Sequence, residues 1–526
     1  MRLSALALAA GMAAVAALPA CAAPEPPSVL GQASAVGQTS ALGRTSALGQ
    51  AGTPGPGTAA AQSGAPAQAP APAVAPANGP IIQMFQWPWE SVAQECTSNL
   101  GPSGIGAVQV SPPQEHVQLA DQAHPWYQDY QPVSYQLQSR RGDREQFAAM
   151  VRTCNSAGVQ IYADAVLNHM TAGSSDEHGP GSAGSTYSKY DYPGVYQDGD
   201  FHGCRRNIED YNNAEEVRTC ELEGLSDLKT ESDAVRSKAV AYLNDLISLG
   251  VTGFRMDGAK HMAPEDVGAI AGAVDNLPGT DRKPYVYQEV IADQAAPTSN
   301  YTGNGDVTEF AYHHKISDAF KNGDIAGLRN TPDEMPTPSD QAVVFVDNHD
   351  TQRSEPTLTY KDGAAYDLAN AFMLAYPYGT PKLLSGFGFD NSDAGPPADQ
   401  NGTTSPASCD DQAWVCSHRS PLITGMLGFY KSVQGKDLVN WWDDGSGKVA
   451  FGRGDAGFLA INRGGEQWQQ SLQTSLPPGT YCDVAHGSLQ DGQCTGGTVE
   501  VYQDGKINVT VRPDEAVALH AGQKLS

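Results

Sequence analysis

At 526 residues the chain exceeds one globular core, since single cores stop growing near ~250–300 residues. Its 32 Lys and Arg face 59 Asp and Glu, a net charge of −27. A surface of that sign repels phosphate backbones and disfavours nucleic acid, leaving a secreted protein with a neutral substrate, or one kept soluble in salty surroundings.

The chain opens with MRLSALALAAGMAAVAALPACAAP, where one cation, Arg2, precedes a short Ala- and Leu-rich run and then small residues. That is the pattern of a secretory signal over 1–21, and no later run reaches the ~20 apolar residues a membrane span needs. Cys21 in LPAC resembles a bacterial lipobox, in which the cysteine is lipidated and becomes the first mature residue. Pro19 departs from the small residue usual there, and ACA before Ala23 offers an ordinary cleavage site. Two outcomes stay open: a membrane anchor through lipidated Cys21, or plain secretion. Residues 22–78 are dominated by Ala, Pro, Gly, Ser, Thr and Gln, with a six-residue repeat SAVGQT, SALGRT, SALGQA from Ser34. With almost no large apolar content this stretch cannot bury a core and reads as a disordered linker.

Order begins at IIQMFQW. Apolar runs at 81–87, 106–112, 159–165, 252–257, 285–290, 307–312, 342–348 and 380–385 alternate with helical patterns that include 143–157, 233–249 and 364–376. Strand–helix alternation over this length predicts an α/β fold, a (β/α)8 barrel of the TIM type across 79–432. One gap breaks the alternation: 170–227, rich in Gly, Tyr, Asp and Asn, reads as a small domain inserted after the third strand. From 433 to 526, short strands such as KVAFGRG, GFLAINR and INVTVRP predict a C-terminal antiparallel β domain.

Of nine cysteines, eight lie in the globular part and none forms a CxxC pair, which argues against zinc. In an exported chain they are expected as four disulfides. Cys409/Cys416 and Cys482/Cys494 are local pairs, and Cys204/Cys220 and Cys96/Cys154 are the other expected pairings.

A barrel of this type carries its chemistry at the C-terminal ends of its strands. There stand Asp164 in IYADA, Asp257 in FRMD, Glu289 in YQEV and Asp350 in FVDNHD. One such carboxylate is more often a cap or loop residue. Four converging on one mouth cost stability through like-charge repulsion, which favours function.

DAVLNH (164–169), GFRMDGAKH (253–261), QEVI (288–291) and FVDNHD (345–350) resemble the four ordered signature segments of the α-amylase family, glycoside hydrolase family 13. VQVSPPQEH (108–116), HPWYQDYQPVSY (124–135) and the cysteine placement resemble its animal-like, chloride-dependent branch. The resemblance implies retaining endo-hydrolysis of α-1,4-glucans such as starch and glycogen through a glucosyl-enzyme intermediate. Asp257 would be the nucleophile, Glu289 the general acid/base and Asp350 the third carboxylate, holding sugar hydroxyls. Arg255, two residues before Asp257 on one strand face, would keep Asp257 ionised, while burial and the nearby anion would raise the pKa of Glu289. His169 and His349 would hydrogen-bond the sugar at the cleavage point, and Lys260 and His261 the sugar beyond it. Trp126, Tyr127 and Tyr130, with Gln131 beside them, match family subsite residues; aromatic faces suit the C–H faces of sugar rings, although loop aromatics often only pack.

Two ions are implied as well. Asn168 and Asp227 side chains, with backbone carbonyls of Arg218 and His261, match a calcium site, though an Asp in GLSDL would otherwise read as a helix cap. Arg255, Asn348 and Lys382 match a chloride site. One departure stands out: SEPTLTYKDG (354–363) replaces the branch's Gly-rich loop. The alternatives are a maltooligosaccharide-forming or transglycosylating relative and, in a different class, a non-catalytic surface glucan-binding lipoprotein. The expected state is a monomer.

Overall fold

The computed structural model describes residues 79–173, 178–354 and 356–525. The signal segment 1–21, Cys21 and the linker 22–78 lie outside the described residues.

Eight strands form the centre: β1 Ile81–Met84, β2 Ala107–Val110, β3 Gln160–Val166, β4 Gly253–Asp257, β5 Tyr285–Gln288, β6 Asp306–Thr308, β7 Ala342–Val344 and β8 Thr380–Phe387. Each pairs parallel with the next in chain order. β8 returns to β1, with Ile81 opposite Lys382 and Met84 opposite Ser385, so the sheet closes into the expected barrel. Strands β1, β2, β4 and β5 are buried along their whole length, as parallel strands covered on both faces require. The buried set includes Gln83, Gln109, Arg255 and Gln288, so the strands carry hydrogen-bonding groups that need partners inside.

Helix α1, Arg144–Ser156, starts at Asp143, whose side chain accepts the Gln146 N–H while Gln146 reaches back to the Asp143 N–H. Its buried face is Phe147, Ala148, Met150, Val151 and Cys154. Helix α2, Asp233–Ser248, is capped by Ser232, and α3, Ala364–Ala375, is buried on nearly every side. Several strands end earlier than expected, the runs at 81–87, 106–112 and 285–290 at Met84, Val110 and Gln288, and two others depart further. The run at 307–312 stops at Thr308, because Glu309 accepts the Ala311 N–H and starts a helix, Phe310–Asn322. Phe310, His313, Ile316, Ser317 and Phe320 then face inward at helical spacing, and capping overrides the strand-like look of VTEFAY. The run at 342–348 stops at Val344, and Asn348 Oδ1 turns the chain by accepting the N–H of Asp350 and of Thr351, both at 2.8 Å.

After β3 the chain leaves the barrel, and it returns where Met170 N–H meets Ser226 O and Leu228 N–H meets Asn168 O. Between these points the described residues form two short ladders, His178–Pro180 with Thr186–Ser188 and Cys204–Asn207 with Cys220–Glu221, a 3-10 turn at Asp198–Asp200 and a short α-helix, Ala214–Thr219. Tyr192, Tyr196 and Phe201 pack with Met170, Leu228 and Val235 as a local core. Glu115, fully buried, latches this segment to the barrel loops by accepting the N–H groups of Ala183 and Ser185 at 3.0 Å and the Ser134 hydroxyl.

The C-terminal region is the expected antiparallel β structure. One four-stranded sheet orders Leu438–Asp443, Lys448–Arg453, Gly457–Asn462 and Glu515–His520; the other orders Trp468–Gln473, Lys506–Val511, Thr498–Val501 and Gly479–Cys482. Disulfides join Cys96 to Cys154, Cys204 to Cys220, Cys409 to Cys416 and Cys482 to Cys494, with Cα separations of 5.1, 4.7, 5.7 and 5.4 Å. Among the described residues no helix is long and apolar enough to cross a membrane.

Candidate active site

At the C-terminal ends of the strands the barrel opens into a cleft of about 640 Å³. Below its floor lies Arg255, 1% exposed. Its Nη1 donates to Asp164 Oδ1 at 2.6 Å and to Asp257 Oδ1 at 2.8 Å, and its Nη2 lies 2.6 Å from Glu289 Oε1. One planar fork therefore gathers three carboxylates from β3, β4 and the end of β5. Arg255 itself does not line the cleft; it reaches whatever binds there only through the acids it holds.

Local sequence explains the placement. Asp257 closes β4, and Gly258 follows with φ 56°, a left-handed turn that glycine takes without strain. That turn aims the Gly258 N–H at Glu289 Oε2, 2.9 Å away. Asp164 is locked from its other side by the Tyr130 hydroxyl at 2.9 Å and by Gln109 Nε2 at 3.3 Å. Gln109 in turn accepts the Tyr287 hydroxyl at 2.6 Å.

The charges do not divide as the sequence suggests. Burial pushes the Glu289 carboxyl up, but Arg255, the Gly258 N–H and Lys382 together outweigh it and hold its pKa below the ordinary value. Burial drives Asp257 well above the usual carboxylate range, since the charges of Glu289, Asp164 and Asp350 offset the attraction of Arg255. Asp350 is pushed up to about 7 by burial and by Glu289. These directions run opposite to the raised Glu289 and ionised Asp257 expected from the sequence, and because both acids share one guanidinium with Asp164 they titrate together as a group rather than one by one.

Trp126, Tyr127, Tyr130, Gln131, His169, Asp257, Lys260, His261, Glu289, His349 and Asp350 all line the cleft. Trp126 meets Tyr127, Tyr130 and His349 edge-on, at 5.9, 5.9 and 5.6 Å between ring centres. His169 contacts Tyr130 O at 3.0 Å and His261 contacts Val217 O at 3.1 Å, and burial lowers both to about 4, so both are neutral at ordinary pH. Lys260 is oriented by Asp293 at 2.6 Å.

Residues 104–391 match the family described as "Alpha amylase, catalytic domain", and 439–522 match "Alpha amylase, C-terminal all-beta domain". The chain is 54% identical to an alpha-amylase of Thermomonospora curvata over 444 residues, 84% of this chain and 73% of that one. It is 44% identical to an alpha-amylase of Tribolium castaneum over 469 residues, 85% and 94% of the two. The crystal structure of alpha-amylase I from Eisenia fetida superposes with a TM-score of 0.81 at 37% identity, covering 86% of this chain and 99% of that one. The chain belongs to the α-amylase family. It is a glycoside hydrolase with a family catalytic barrel and a family C-terminal domain.

In this α-amylase-family cleft the structure adds walls that sequence reading missed. Tyr211, Leu222, Glu223 and Leu225 come from the segment inserted after β3, and Ile291 from the loop after β5. Tyr211 and Ile291 are 37% and 49% exposed, unusual for large apolar side chains. Ile291 ends QEVI and was legible as an apolar residue just past a strand. Tyr211 carried no signal, because loop residues reach a cleft only by folding.

Of the candidate calcium residues, Asn168 and Asp227 are brought side by side, where Leu228 N–H meets Asn168 O and His169 bridges Asp227. Among the described residues Asn168 Oδ1 and Asp227 Oδ1 are buried without a hydrogen-bond partner, and burial lifts Asp227 to about 7 despite His202 at 2.6 Å. His261 contacts the carbonyl of Val217, the neighbour of Arg218. Among the described residues no group of three or more His, Cys, Asp or Glu side chains forms a metal cluster, so a cation here would depend on amide and backbone oxygens. Lys382 is 1% exposed, and its Nζ meets Gln83 Oε1 at 3.3 Å and, among the described residues, no carboxylate within ion-pair distance. Burial and Arg255 lower its pKa to about 7, and Arg255 Nε has no partner among the described residues.

Proposed function

We propose that the cleft performs retaining endo-hydrolysis of α-1,4-glucosidic bonds in starch, glycogen and related glucans. The observation that carries this reading is the sharing of Arg255 by Asp257 and Glu289, which holds two carboxyl groups side by side across one position in the cleft. Retaining glycosidases need such a pair, about 5–5.5 Å apart, one as nucleophile and one as acid. Glu289 would protonate the glycosidic oxygen while Asp257 attacks the anomeric carbon. The C–O bond breaks, the leaving chain carries off the proton, and a glucosyl ester forms on Asp257. Water then attacks that ester, Glu289 takes its proton, and Asp257 is released with the original configuration at the sugar.

Asp350 and His349 line the same cleft, 3.2 Å apart, and would hold hydroxyls of the distorted sugar. Trp126, Tyr127 and Tyr130 would supply ring platforms on one side, with Gln131 and His169 beside them, and Lys260 and His261 polar contacts on the other. A variant of the Eisenia fetida alpha-amylase I crystallised with maltohexaose, which supports a linear α-glucan as ligand class.

Calcium fits Asn168 and Asp227, whose buried Oδ1 atoms lack partners among the described residues, together with carbonyls of Arg218 and His261; it would tie the inserted segment to the barrel. Chloride fits Arg255, Lys382 and the amide of Asn348, and when bound it would offset the cations that hold the Glu289 proton off. Four disulfides suit an oxidising compartment, so we read the protein as exported; labelling with a tagged fatty acid tests the anchor on Cys21.

Asp257→Asn should lower kcat on starch by several orders of magnitude, roughly 10³-fold or more, while starch binding survives. Substantial turnover in a purified variant would remove the assignment.

A further inference from the structure

Gln83, the third residue of β1, is 1% exposed and reaches two groups at once. Its Oε1 lies 3.3 Å from Lys382 Nζ, and its Nε2 lies 2.9 Å from His349 Nδ1. While Lys382 carries its proton, below about pH 7, its ammonium only donates, so the amide oxygen faces lysine and the NH2 faces histidine. A donor aimed at Nδ1 requires a lone pair there. The proton of a neutral imidazole then sits on Nε2, which lies 3.2 Å from Asp350 Oδ2 at the cleft. The ring cannot turn over to reverse this, being stacked between Phe85 at 4.7 Å and Tyr130 at 5.1 Å.

We propose that Gln83 is a positioning residue that fixes His349 as its Nε2–H tautomer, so that this imidazole donates a hydrogen bond into the cleft toward Asp350 and a bound sugar. The inference rests on the glucan-hydrolase reading for its consequence, though not for its geometry. Other charged and titratable groups around His349 agree with it. Arg255, Lys382 and Arg353 add positive charge that, with burial, holds the ring neutral, and Tyr130 and Asp350 are the acidic neighbours. Lys382 thereby gains a second consequence: through one amide it sets which end of His349 donates.

The test compares the full-length protein with Gln83→Glu and Gln83→Leu. Glutamate accepts at both ends, so it keeps Lys382 paired and draws the histidine proton to Nδ1. Leucine releases both partners. Histidine-selective ¹⁵N labelling reads the tautomer, with His349 assigned by its disappearance in His349→Gln. The expected wild-type spectrum shows a bare Nδ1 and a protonated Nε2; in Gln83→Glu the Nδ1 becomes protonated. In starch hydrolysis kcat should fall roughly tenfold or more for Gln83→Glu with KM changed little, the loss of about one donated hydrogen bond in the transition state. A protonated Nδ1 in the wild type, or a Gln83→Glu protein with unchanged ¹⁵N shifts and unchanged kcat, overturns the proposal. If the wild type fails to cleave starch, the functional reading fails alone, since the ¹⁵N spectra still decide the tautomer.

Discussion

Replacing Lys382 by Met should make the halide-free protein more stable at pH 6, although a charge and a hydrogen bond are lost. The folded barrel lowers the pKa of this ammonium from 10.5 to about 7, first by burial and then through the like charge of Arg255. At ~1.36 kcal/mol per pH unit, holding it charged below neutrality costs about 5 kcal/mol. Methionine fills a similar volume without that cost, but it leaves Gln83 Oε1 without its partner at 3.3 Å, a penalty of about 1–3 kcal/mol. The net gain is about 2–4 kcal/mol. Because the folded pKa is depressed, the folded state binds fewer protons than the unfolded chain between about 7 and 10.5. Wild-type stability from this group therefore rises with pH across that window and is lowest below it. Calorimetry in halide-free buffer at pH 6 and pH 9.5, repeated with ~100 mM chloride, reads both effects. The variant's advantage should be largest at pH 6 without halide, shrink toward pH 9.5, and shrink again when chloride stabilises only the wild type. A Met variant that melts below wild type at pH 6 without halide would show that Lys382 is compensated by something other than an anion.

Asp347 is buried with its pKa pushed up to about 7, so its contribution to stability is full below about pH 4 and lost as pH rises through 7. Asp347→Asn should flatten that decline by up to about 4 kcal/mol, seen as a higher melting temperature than wild type at pH 8 but not at pH 4. Gly181→Ala would drive a Cβ into the carboxyl of Glu115 that latches the inserted segment, costing about 1–3 kcal/mol and hastening protease cleavage within 170–227; unchanged cleavage would discount the latch. Chelation of calcium should speed cleavage in the same region and lower the melting temperature, with recovery on adding calcium back. Asp227→Asn should remove that response, whereas a variant that still responds would place the ion elsewhere.

Much of the architecture was legible because its signals are local. Runs such as IIQM and AVQV announce parallel strands by being apolar at all but one position, and Asp143 with Gln146 marks a helix start within four residues. The placement of Arg255 and Asp257 on one strand face follows from the two-residue repeat of a strand. The helix at Phe310–Asn322 was obscured because VTEFAY suits either element, and its inward face forms only against the barrel. Tyr211 in the cleft wall and Gln83 between Lys382 and His349 were illegible for a similar reason, since the glutamine and histidine lie 266 positions apart.

The amino-acid order by itself determined which acids could meet, since each lies in the C-terminal half of a barrel strand or in the loop just after it, and strands of a barrel share one mouth. Closure of that barrel decided how they share charge. Burial strips water from Asp164, Asp257, Glu289 and Asp350 together, and in low dielectric the proton goes where the count of nearby cations and donors sends it. That count is a property of three-dimensional neighbours, Arg255 and Lys382 above all, and no stretch of sequence contains it.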